Sequence, residues 1–586
     1  MPKILINEKD RTSPGTPSGY ANFTVLVAGL AKTTLTEAET KAGLTMSAWE
    51  DKRKEVKDSN GVYEFSSAEA FKNTIGLVPP ETTVDNDSST KFYHYGNQMA
   101  YELLNMGYTV IYKVVDKNKI ETLGEASFWE DFKDKSSYDF RFVTHGLLES
   151  TTFDEATRTS YDSKVARLAE VEKAIKVLED IIAEYPLNTN ATTDEQTEVS
   201  ANRNTAYLAV YTTYEGFKKT TKTVSHYDTF EAACEGLIGV AGDSTKPGEK
   251  ATLTAEIAAL VSGGITTAII NNANSCIANL AKYTATGAKD ANGDETNDMY
   301  MKDVPGRGDC VALIEADENL YVSATGTQAN PELKIIAAIN EMTGIDAGNG
   351  KFCAMTVPSV HYKMSIDKDK PNEFGNNVKF PGAFHYLACF MNSLRLGFAE
   401  WYAAAGYTRG VASYMVDHTS VKLGEIAINA LEPRNYDDPQ SSYPKFACNV
   451  IANFRGSYYL WGNRTAHPLG KKGSLDTGDL VASSFLNIRQ LCCTIKKQLY
   501  VACRTFTFDP NSDTLWVNFC NAIRPTLEAM KADQGIRDYK IMKVYTDKKA
   551  TLKAKIRIIP IEAVEDFDLE VSLEDSFGET AAVVTE

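Results

Sequence analysis

The sequence predicts a multidomain protein of the α/β (α+β) class, on three observations. A chain of 586 residues is too long for one core, because hydrophobic cores stop growing at about 250–300 residues. Strand and helix patterns alternate between residues 61 and 115, as they do in an α/β layer. From residue 486 onward, two amphipathic helix patterns are followed by two strand patterns. We therefore expect several folded units that mix helices and strands.

Composition restricts the class of function. The chain is 43% hydrophobic and 24% charged, close to the averages of folded globular proteins. A net charge of −17 argues against binding to duplex nucleic acid, since that affinity comes mostly from Lys and Arg on phosphates. The N-terminal sequence has no signal-peptide pattern, and no apolar run reaches about 18 residues. We expect neither export by a signal peptide nor a membrane span.

The N-terminal segment combines a short apolar stretch with a flexible connection. Ile4, Leu5 and Ile6 precede a run of Pro, Gly, Ser and Thr at residues 12–19, which cannot continue a helix or a central strand. A short strand on a linker is therefore predicted. Residues 23–29 are apolar and β-rich, which predicts a buried strand. Further on, Ser66 and Glu69 have the spacing of a capping box and predict a helix start.

The character of the chain changes between about residues 117 and 300, where Ser/Thr/Asp-rich stretches alternate with helix patterns. The clearest helix covers 163–185 and ends before Pro186. Its apolar stripe is either a seam for a partner or the face that packs inside its own domain. Internal packing is preferred because too few heptads are sustained for a coiled coil. The stripe consists of Leu168, Val171, Ile175, Leu178 and Ile182.

The two helices after residue 486 have distinct faces. On the first, Ile488, Leu491 and Ile495 share an apolar face, and Arg489, Lys496 and Lys497 lie elsewhere around it. Residues 509–513 predict a turn and a cap for the second helix. Pro525 lies inside that second pattern and is expected to kink it, because its ring clashes with the preceding turn.

Two strand patterns close the sequence, at residues 552–558 and 567–573. Their outer faces have opposite charge, so pairing would set Lys and Arg against acidic residues. Pairing within one subunit is preferred over pairing between subunits. From Glu562 onward the chain contains no Lys or Arg, and such a segment resists folding into a core of its own. The charged positions are Lys553, Lys555, Arg557, Asp568 and Glu570.

These patterns divide the chain into five predicted parts. They are an N-terminal segment at 1–21, a middle α/β domain at 22–120 plus 300–405, an inserted domain at 121–299, a C-terminal domain at 406–574 and a C-terminal segment at 575–586.

Motifs of enzymes and metal sites are incomplete in this sequence. A phosphate loop would need Gly where the chain has Leu26 and Ala31. Residues 290–294 resemble part of a calcium loop, but Met301 stands where a bidentate Glu is required. The seven histidines lack catalytic spacing, and the ten cysteines are scattered as buried thiols would be. We predict no catalytic residue, no metal site and no cofactor.

A series of motifs resembles one family. Residues 458–465 read YYLWGNRT, similar to the W-G-x-R-T signature of contractile tail sheath proteins from myophages, R-type pyocins and related contractile injection systems. The N-x-R, F-x-P-N…W and L…G…Y features of that family follow in order, although Gln490 replaces its second Arg. The resemblance covers residues 400–586 well, 1–120 and 300–400 partly, and the insertion not at all. The matching positions are Trp461, Gly462, Arg464, Thr465, Asn487, Arg489, Pro510, Asn511 and Trp516.

The resemblance implies a structural role. A sheath subunit forms hexameric rings stacked helically around an inner tail tube and contracts by rigid-body rearrangement, which drives the tube through a target cell envelope. Its partners would be copies of itself, the tube protein, and baseplate and tail terminator proteins, without direct contact to nucleic acid and without membrane insertion. In a bacteriophage such a protein belongs to the virion tail, is assembled in the bacterial host cytoplasm and serves genome ejection. For this chain the resemblance implies that the two end segments are arms, that the inserted domain faces outward and that the C-terminal domain is an assembly domain.

The resemblance also implies where the working residues lie. Terminal arms of neighbouring subunits add strands to the sheet of a third subunit, and an open sheet edge suits such addition. The basic residues Arg489, Lys496 and Lys497 are predicted to contact the tube, with an ordinary solvated face as the alternative. Other functions remain open: a different homopolymeric shell or filament protein, or a multidomain enzyme. The predicted strand-exchange residues are Ile4, Leu5, Ile6, Leu569, Val571, Leu573, Val583 and Val584.

Overall fold

The structure is a computed structural model with side chains. It describes residues 23–563 except 36–39, 42, 44, 80, 85–86, 150–154, 188–191, 220–225, 241–242, 244–245, 262–266, 283–305, 322–329, 347, 363–377, 412–422, 432–443, 468–481, 545–551 and 562. The predicted N-terminal arm, the predicted strand at 567–573 and the C-terminal arm lie outside the described residues.

Strands occur along most of the described chain. They are β1 (Thr24–Leu30), β2 (Val62–Phe65), β3 (Glu81–Val84), β4 (Asp87–His94), β5 (Thr109–Val115), β6 (Phe142–Thr144), β7 (Leu147–Glu149), β8 (Val311–Ile314), β9 (Cys353–Val357), β10 (Val360–Tyr362), β11 (Val378–Phe380), β12 (Asn449–Phe454), β13 (Ser457–Trp461), β14 (Ile536–Val544) and β15 (Lys553–Pro560).

Helices alternate with these strands. They are α1 (Met46–Val56), α2 (Ala68–Thr74), α3 (Gly96–Asn105), α4 (Ala126–Trp129), α5 (Glu155–Glu184), α6 (Thr193–Val210), α7 (Phe230–Leu237), α8 (Gly248–Val261), α9 (Thr267–Ala281), α10 (Pro331–Glu341), α11 (Gly382–Arg395), α12 (Gly406–Arg409), α13 (Glu425–Leu431), α14 (Leu486–Thr505) and α15 (Asp513–Ala532). None of these described helices is long and apolar enough to cross a bilayer.

An eight-stranded sheet organises the molecule, with the strand order β13-β12-β9-β8-β6-β1-β5-β2. Neighbouring strands from β12 to β5 are parallel. The edge strands β13 and β2 run antiparallel to their neighbours. Parallel neighbours need crossover connections, which helices provide here. The mixed α/β class predicted from the sequence is therefore confirmed.

Both faces of this sheet are buried. Alternate residues of β1 point to opposite sides, so that Leu26 and Ala28 join one hydrophobic cluster and Val25 and Val27 join another. Helices α9 and α10 contribute to the first cluster, and α3 and α11 to the second. Burial on both faces explains why the sequence of β1 is continuously apolar. The buried strand predicted at residues 23–29 is confirmed.

Helices α5 to α8 form a smaller unit with its own hydrophobic cluster. Val171, Ile175 and Leu178 of α5 are buried within it, whereas Ile182 is 38% exposed. An ion pair between Arg167 Nε and Glu249 Oε1, at 2.8 Å, links α5 to α8. The apolar stripe of α5 thus packs inside its own unit, as preferred from its length.

The two C-terminal helices and the last two described strands pack around one further cluster. Its buried members come from α14, α15 and the start of β14, together with Trp401. The inner face of β15 is the one the sequence predicts: Leu552, Ala554, Ile556 and Ile558 pack against this cluster. We refer to α14, α15, β14 and β15 as the C-terminal unit.

The predicted domain limits differ from this arrangement in two places. β6 and α9 fall inside the predicted insertion at 121–299, yet they belong to the main sheet and its core. β12 and β13 fall inside the predicted assembly domain at 406–574, yet they complete the same sheet. The predicted limits at 120/121, 299/300 and 405/406 therefore divide elements that pack in one layer. Local composition does not reveal this, because pairing between distant strands leaves no mark in it.

One local prediction needs correction: helix α2 begins after Ser67, and its cap carries no side-chain hydrogen bond, so the capping box of Ser66 and Glu69 is wrong. Helix α15 contains Pro525 and runs from Asp513 to Ala532 as one helix; the kink expected at Pro525 stays a prediction. Pro525 is exposed, so the backbone carbonyl that loses its helical partner lies on the solvent side of the helix.

Candidate functional site

The last two described strands form a ribbon that we call the C-terminal ribbon, β14 and β15. They pair antiparallel, with Tyr539 opposite Ile558 and Ile541 opposite Ile556 on the face toward the helices. Among the described residues, neither strand pairs with a third. A two-stranded sheet is marginal by itself, and its edges offer free N–H and C=O groups to another strand.

The opposite face of the C-terminal ribbon is basic. Lys540 of β14 stands directly opposite Arg557 of β15, and Lys555 and Lys553 lie along β15 on the same face. Lys540, Lys555 and Arg557 are exposed. Like charges directly across a strand pair are destabilising, so this face favours an acidic neighbour. The predicted partners Asp568 and Glu570 lie outside the described residues; within the described chain, the strand that carries Lys553, Lys555 and Arg557 pairs with β14.

The signature at 461–465 lies where β13 meets the start of α14. Trp461 packs against the rings of Tyr407 and Phe454, each with centroids 5.1 Å away. Gly462 has φ +135°, and a Cβ there would lie 2.9 Å from Oδ1 of Asn449. A side chain at Gly462 would therefore meet both backbone strain and a clash.

Polar contacts then fasten α14 to the sheet edge. Asn463 Nδ2 donates to Asn487 Oδ1 at 2.7 Å, and the backbone N–H of Asn487 donates to Asn463 Oδ1 at 3.0 Å. The hydroxyl of Thr465 donates to the carbonyl of Ser483 at 2.9 Å. The guanidinium of Arg464 lies 4.7 Å from the ring of Phe485. The signature residues thus join the main sheet to the C-terminal unit.

Of the motif positions that follow, Pro510 and Asn511 lie between α14 and α15, and Trp516 lies near the start of α15. Ser512 caps α15, since its hydroxyl oxygen accepts from the N–H of Leu515 at 3.3 Å. The turn and cap predicted at 509–513 are confirmed. Trp516 stacks with Phe519 at 6.0 Å. Just before Pro510, Phe508 is 99% exposed and has a positive φ of 77°.

A buried ionic network, which no local sequence pattern indicates, links Arg141 to α14. Arg141 Nε donates to Gln490 Oε1 at 2.6 Å, and Arg141 Nη2 donates to Thr494 Oγ1 at 2.7 Å. The same guanidinium pairs with Glu400, Nη1 to Oε2, at 3.4 Å. Thr494 donates to Glu400 in turn. Gln490 stands at the position where the resembling motif has a second Arg. Its side chain accepts a hydrogen bond from the guanidinium of Arg141, just before β6.

The three predicted tube-contact residues do not form an exposed basic face. Arg489 is 6% exposed and lies over the ring of Phe352 at 4.2 Å. Lys496 Nζ donates to the carbonyl of Gly308 at 2.7 Å. Lys497 Nζ donates to the carbonyl of Phe140 at 2.9 Å and pairs with the carboxylate of Asp139. The alternative of an ordinary solvated face is wrong, because the loops before β6 and β8 cover this side of α14; contact with the tube stays a prediction.

Further cations surround Arg489. Burial lowers the pKa of Lys496, and the neighbouring Arg489 lowers it further. Burial likewise lowers the pKa of Lys351, with Arg489 and Lys282 adding to the effect. His467 shows the same direction, since burial and the charges of Lys351 and Arg489 all lower its pKa. Several positive groups therefore share one partly buried region.

The crevice at the carboxyl ends of β1 and β6, where doubly wound sheets bind ligands, is filled by the chain itself. A Cβ on Gly146 would lie 2.5 Å from Cα of Gly96. His145 is buried beside it, with Nε2 at 2.9 Å from Asn274 Oδ1. Burial lowers the pKa of His94 to about 3 and that of His145 to about 4. These groups pack the crevice as neutral, close-fitting side chains.

The predicted strand-exchange residues cannot be located, because all of them lie outside the described residues: Ile4, Leu5, Ile6, Leu569, Val571, Leu573, Val583 and Val584.

No family model and no curated protein matches this chain. Among solved structures, the anti-feeding prophage (AFP) baseplate is similar at 14% identity and a TM-score of 0.33, covering 53% of this chain and 66% of that chain. The contracted PVC sheath complex, an extracellular contractile injection system, is similar at 14% identity and a TM-score of 0.28, covering 52% and 80%. Both TM-scores lie below 0.5, so neither superposition establishes a shared fold.

Proposed function

We propose that this chain is a structural subunit of a contractile tail sheath. Copies polymerise as stacked hexameric rings around an inner tube, and contraction drives the tube through a target cell envelope. The subunit belongs to a phage virion tail, assembled in the bacterial cytoplasm, where contraction serves genome ejection. Its partners are copies of itself, the tube protein, and baseplate and terminator proteins. It performs no catalysis and needs no cofactor.

The C-terminal ribbon is the observation that supports this proposal. Its inner face is anchored to α14 and α15, while its outer face sets Lys540 opposite Arg557. Residues 567–573 alternate apolar and acidic side chains. Added as a strand, this segment would turn Leu569 and Val571 toward the helices and Asp568 and Glu570 toward the basic face. Strands from the N-terminal arm, Ile4 to Ile6, would complete the other edge.

Contraction in this scheme is a rigid-body movement. The main sheet and the C-terminal unit of one subunit are joined by hydrogen bonds between Asn463 and Asn487 and by the hydrogen bonds that Arg141 donates to Gln490 and Thr494. Such a joint lets one subunit move as a block. The exchanged arms act as hinges between blocks. Free energy is stored in the extended lattice and released in the compact one.

A sheath subunit would also contact the inner tube. We propose that Arg489, Lys496 and Lys497 attract an acidic tube surface. Because these side chains are partly or fully buried, the contact requires acidic side chains that project from the tube toward α14. Charge attraction of this kind orients partners more than it adds affinity.

Arm deletion and electron microscopy test the sheath assignment. A chain lacking residues 1–15 should keep the melting temperature of the full chain but form no tubes, and a chain ending at 563 should likewise form no tubes. The double variant Lys555→Glu/Arg557→Glu should assemble poorly, whereas Lys176→Glu, an exposed change on α5, should assemble normally. The full chain should form tubes or contracted polysheath. Strictly monomeric particles under all assembly conditions would overturn the assignment.

The closest competing function is another homopolymeric shell or filament that exchanges strands through the same ribbon. Addition of a tube protein discriminates the two. A sheath subunit should polymerise faster and with fixed diameter around preformed tubes, while an unrelated filament should ignore them.

A further inference from the structure

The cations around Phe352 present an unusual imbalance of charge. The ring centroid of Phe352 lies 4.2 Å from Arg489 Cζ, 5.5 Å from Lys496 Nζ and 5.9 Å from Lys351 Nζ. Three positive groups thus meet at one aromatic ring. Burial lowers the pKa of Lys351 and of Lys496, and the positive charge of Arg489 lowers both further, so the region has a strongly positive potential.

Arg489 is the least compensated of these groups. It is 6% exposed, and its Nε has no hydrogen-bond partner. Within the described part of the chain, its guanidinium makes no hydrogen bond or ion pair, and its contact is with the ring of Phe352. A buried charge without a partner is strongly destabilising, because the group has lost its water and gained no other contact. Such an arrangement is stable only if an anion supplies the missing contacts.

Asp346, an acidic group near these cations, is already committed elsewhere. Its negative charge raises the pKa of Lys351, against the larger effects of burial, Arg489 and Lys282. Its Oδ1 accepts from the backbone N–H of Gly348 at 2.7 Å and of Asn349 at 2.9 Å. The carboxylate therefore closes a turn and leaves the donors of Arg489 unsatisfied.

We propose that Arg489, Lys351 and Lys496 form a binding site for a single oxyanion, a carboxylate or a phosphate. The planar guanidinium offers paired donors that match two oxygens of such a group. Lys351, which is half-buried, closes the site from the solvent side. The oxyanion comes either from an acidic side chain, such as those in residues 562–586, or from free phosphate. This site lies within one chain and does not depend on the sheath assignment.

Calorimetric titration of the full chain tests the site in a phosphate-free chloride buffer. One arm uses inorganic phosphate, and the other uses a synthetic peptide of residues 562–586. We expect one saturable site in at least one arm. Lys351→Gln should weaken binding about tenfold or more, the effect of losing a charged hydrogen bond. Lys176→Gln, an exposed change on α5, is the matched control and should leave binding unchanged.

Arg489→Met gives a second, independent readout. Without added anion, removal of an uncompensated buried charge should leave the melting temperature unchanged or raise it. With saturating anion, the wild-type chain should gain stability and the variant should not. Binding of phosphate alone identifies a free oxyanion, and binding of the peptide identifies an acidic side chain. No saturable heat in either arm, or equal affinity in wild type and Lys351→Gln, would overturn the proposal.

Discussion

Arg141 and Glu400 form an ion pair in the interior, with Nη1 and Oε2 3.4 Å apart and side chains 0% and 5% exposed. Arg141 precedes β6 of the main sheet, and the same guanidinium donates to Gln490 and Thr494 of α14. Buried charges require this degree of hydrogen bonding, because each has lost its water. The pair therefore holds α14 at one fixed position on the sheet.

The first prediction concerns this pair. Glu400→Leu should lower the free energy of unfolding by about 3–5 kcal/mol, because it leaves Arg141 charged and unpaired in the interior. Urea unfolding, followed by circular dichroism, measures the loss. The double variant Arg141→Met/Glu400→Leu should be less destabilised than Glu400→Leu alone. Equal losses in the two variants would mean that the charge of Arg141 is not the cause.

The second prediction concerns Gly462, which combines a φ of +135° with a close approach to Asn449. Gly462→Ala should destabilise the chain more than Gly456→Ala. Gly456 also has a positive φ, +87°, but a Cβ there meets nothing within 4 Å. The loss of stability in Gly456→Ala therefore measures backbone strain alone, about 1 kcal/mol. Thermal unfolding compares the two, and equal shifts in melting temperature would contradict a steric role for Asn449.

Part of this structure could be predicted because its signals are local. Strand β1 is continuously apolar because both of its faces are buried. Strand β15 alternates between apolar and charged residues because one of its faces is buried. The pairing of β12 with β9 and the contact of Arg141 with Gln490, which are 349 residues apart in sequence, follow from tertiary packing alone. The same reason explains Lys496 and Lys497: their helix face looks solvated in sequence, but distant loops cover it.

The third prediction is a loss of stability in acid. Histidine titrates near pH 6.5 in an unfolded chain, whereas burial lowers the pKa of His94 to about 3 and that of His145 to about 4. Between pH 6.5 and 4 the unfolded state therefore binds more protons, so the free energy of unfolding falls as the pH falls. Each histidine contributes at most about 1.4 kcal/mol per pH unit.

Chemical denaturation at pH 7, 6, 5 and 4 measures this dependence. His145→Gln should reduce the slope, because glutamine does not titrate, and the difference from wild type isolates one histidine. Above pH 6.5 the contribution of His145 is complete, so the curves should run parallel there. Identical slopes for the two proteins below pH 6 would show that His145 does not control the acid response.

The fourth prediction separates folding from assembly at the C-terminal ribbon. Lys540 stands directly opposite Arg557, so Lys540→Glu exchanges a like-charge pair for an opposite-charge pair. The free energy of unfolding should rise, by about 0.2–1 kcal/mol. Assembly should weaken in the same variant, because the basic face then attracts an acidic strand less strongly. Thermal unfolding and light scattering of tube formation measure the two effects on one protein preparation.

Lys540→Gln is the matched control, since it removes the repulsion without adding an acidic group. It should gain stability to a lesser degree and assemble at an intermediate rate. Raising the salt concentration should reduce the differences among the three proteins, because exposed charges are screened over about 8–10 Å at physiological ionic strength. A variant that gains stability and also assembles faster would show that the basic face opposes strand addition, and the ribbon would then need a neutral or basic partner strand.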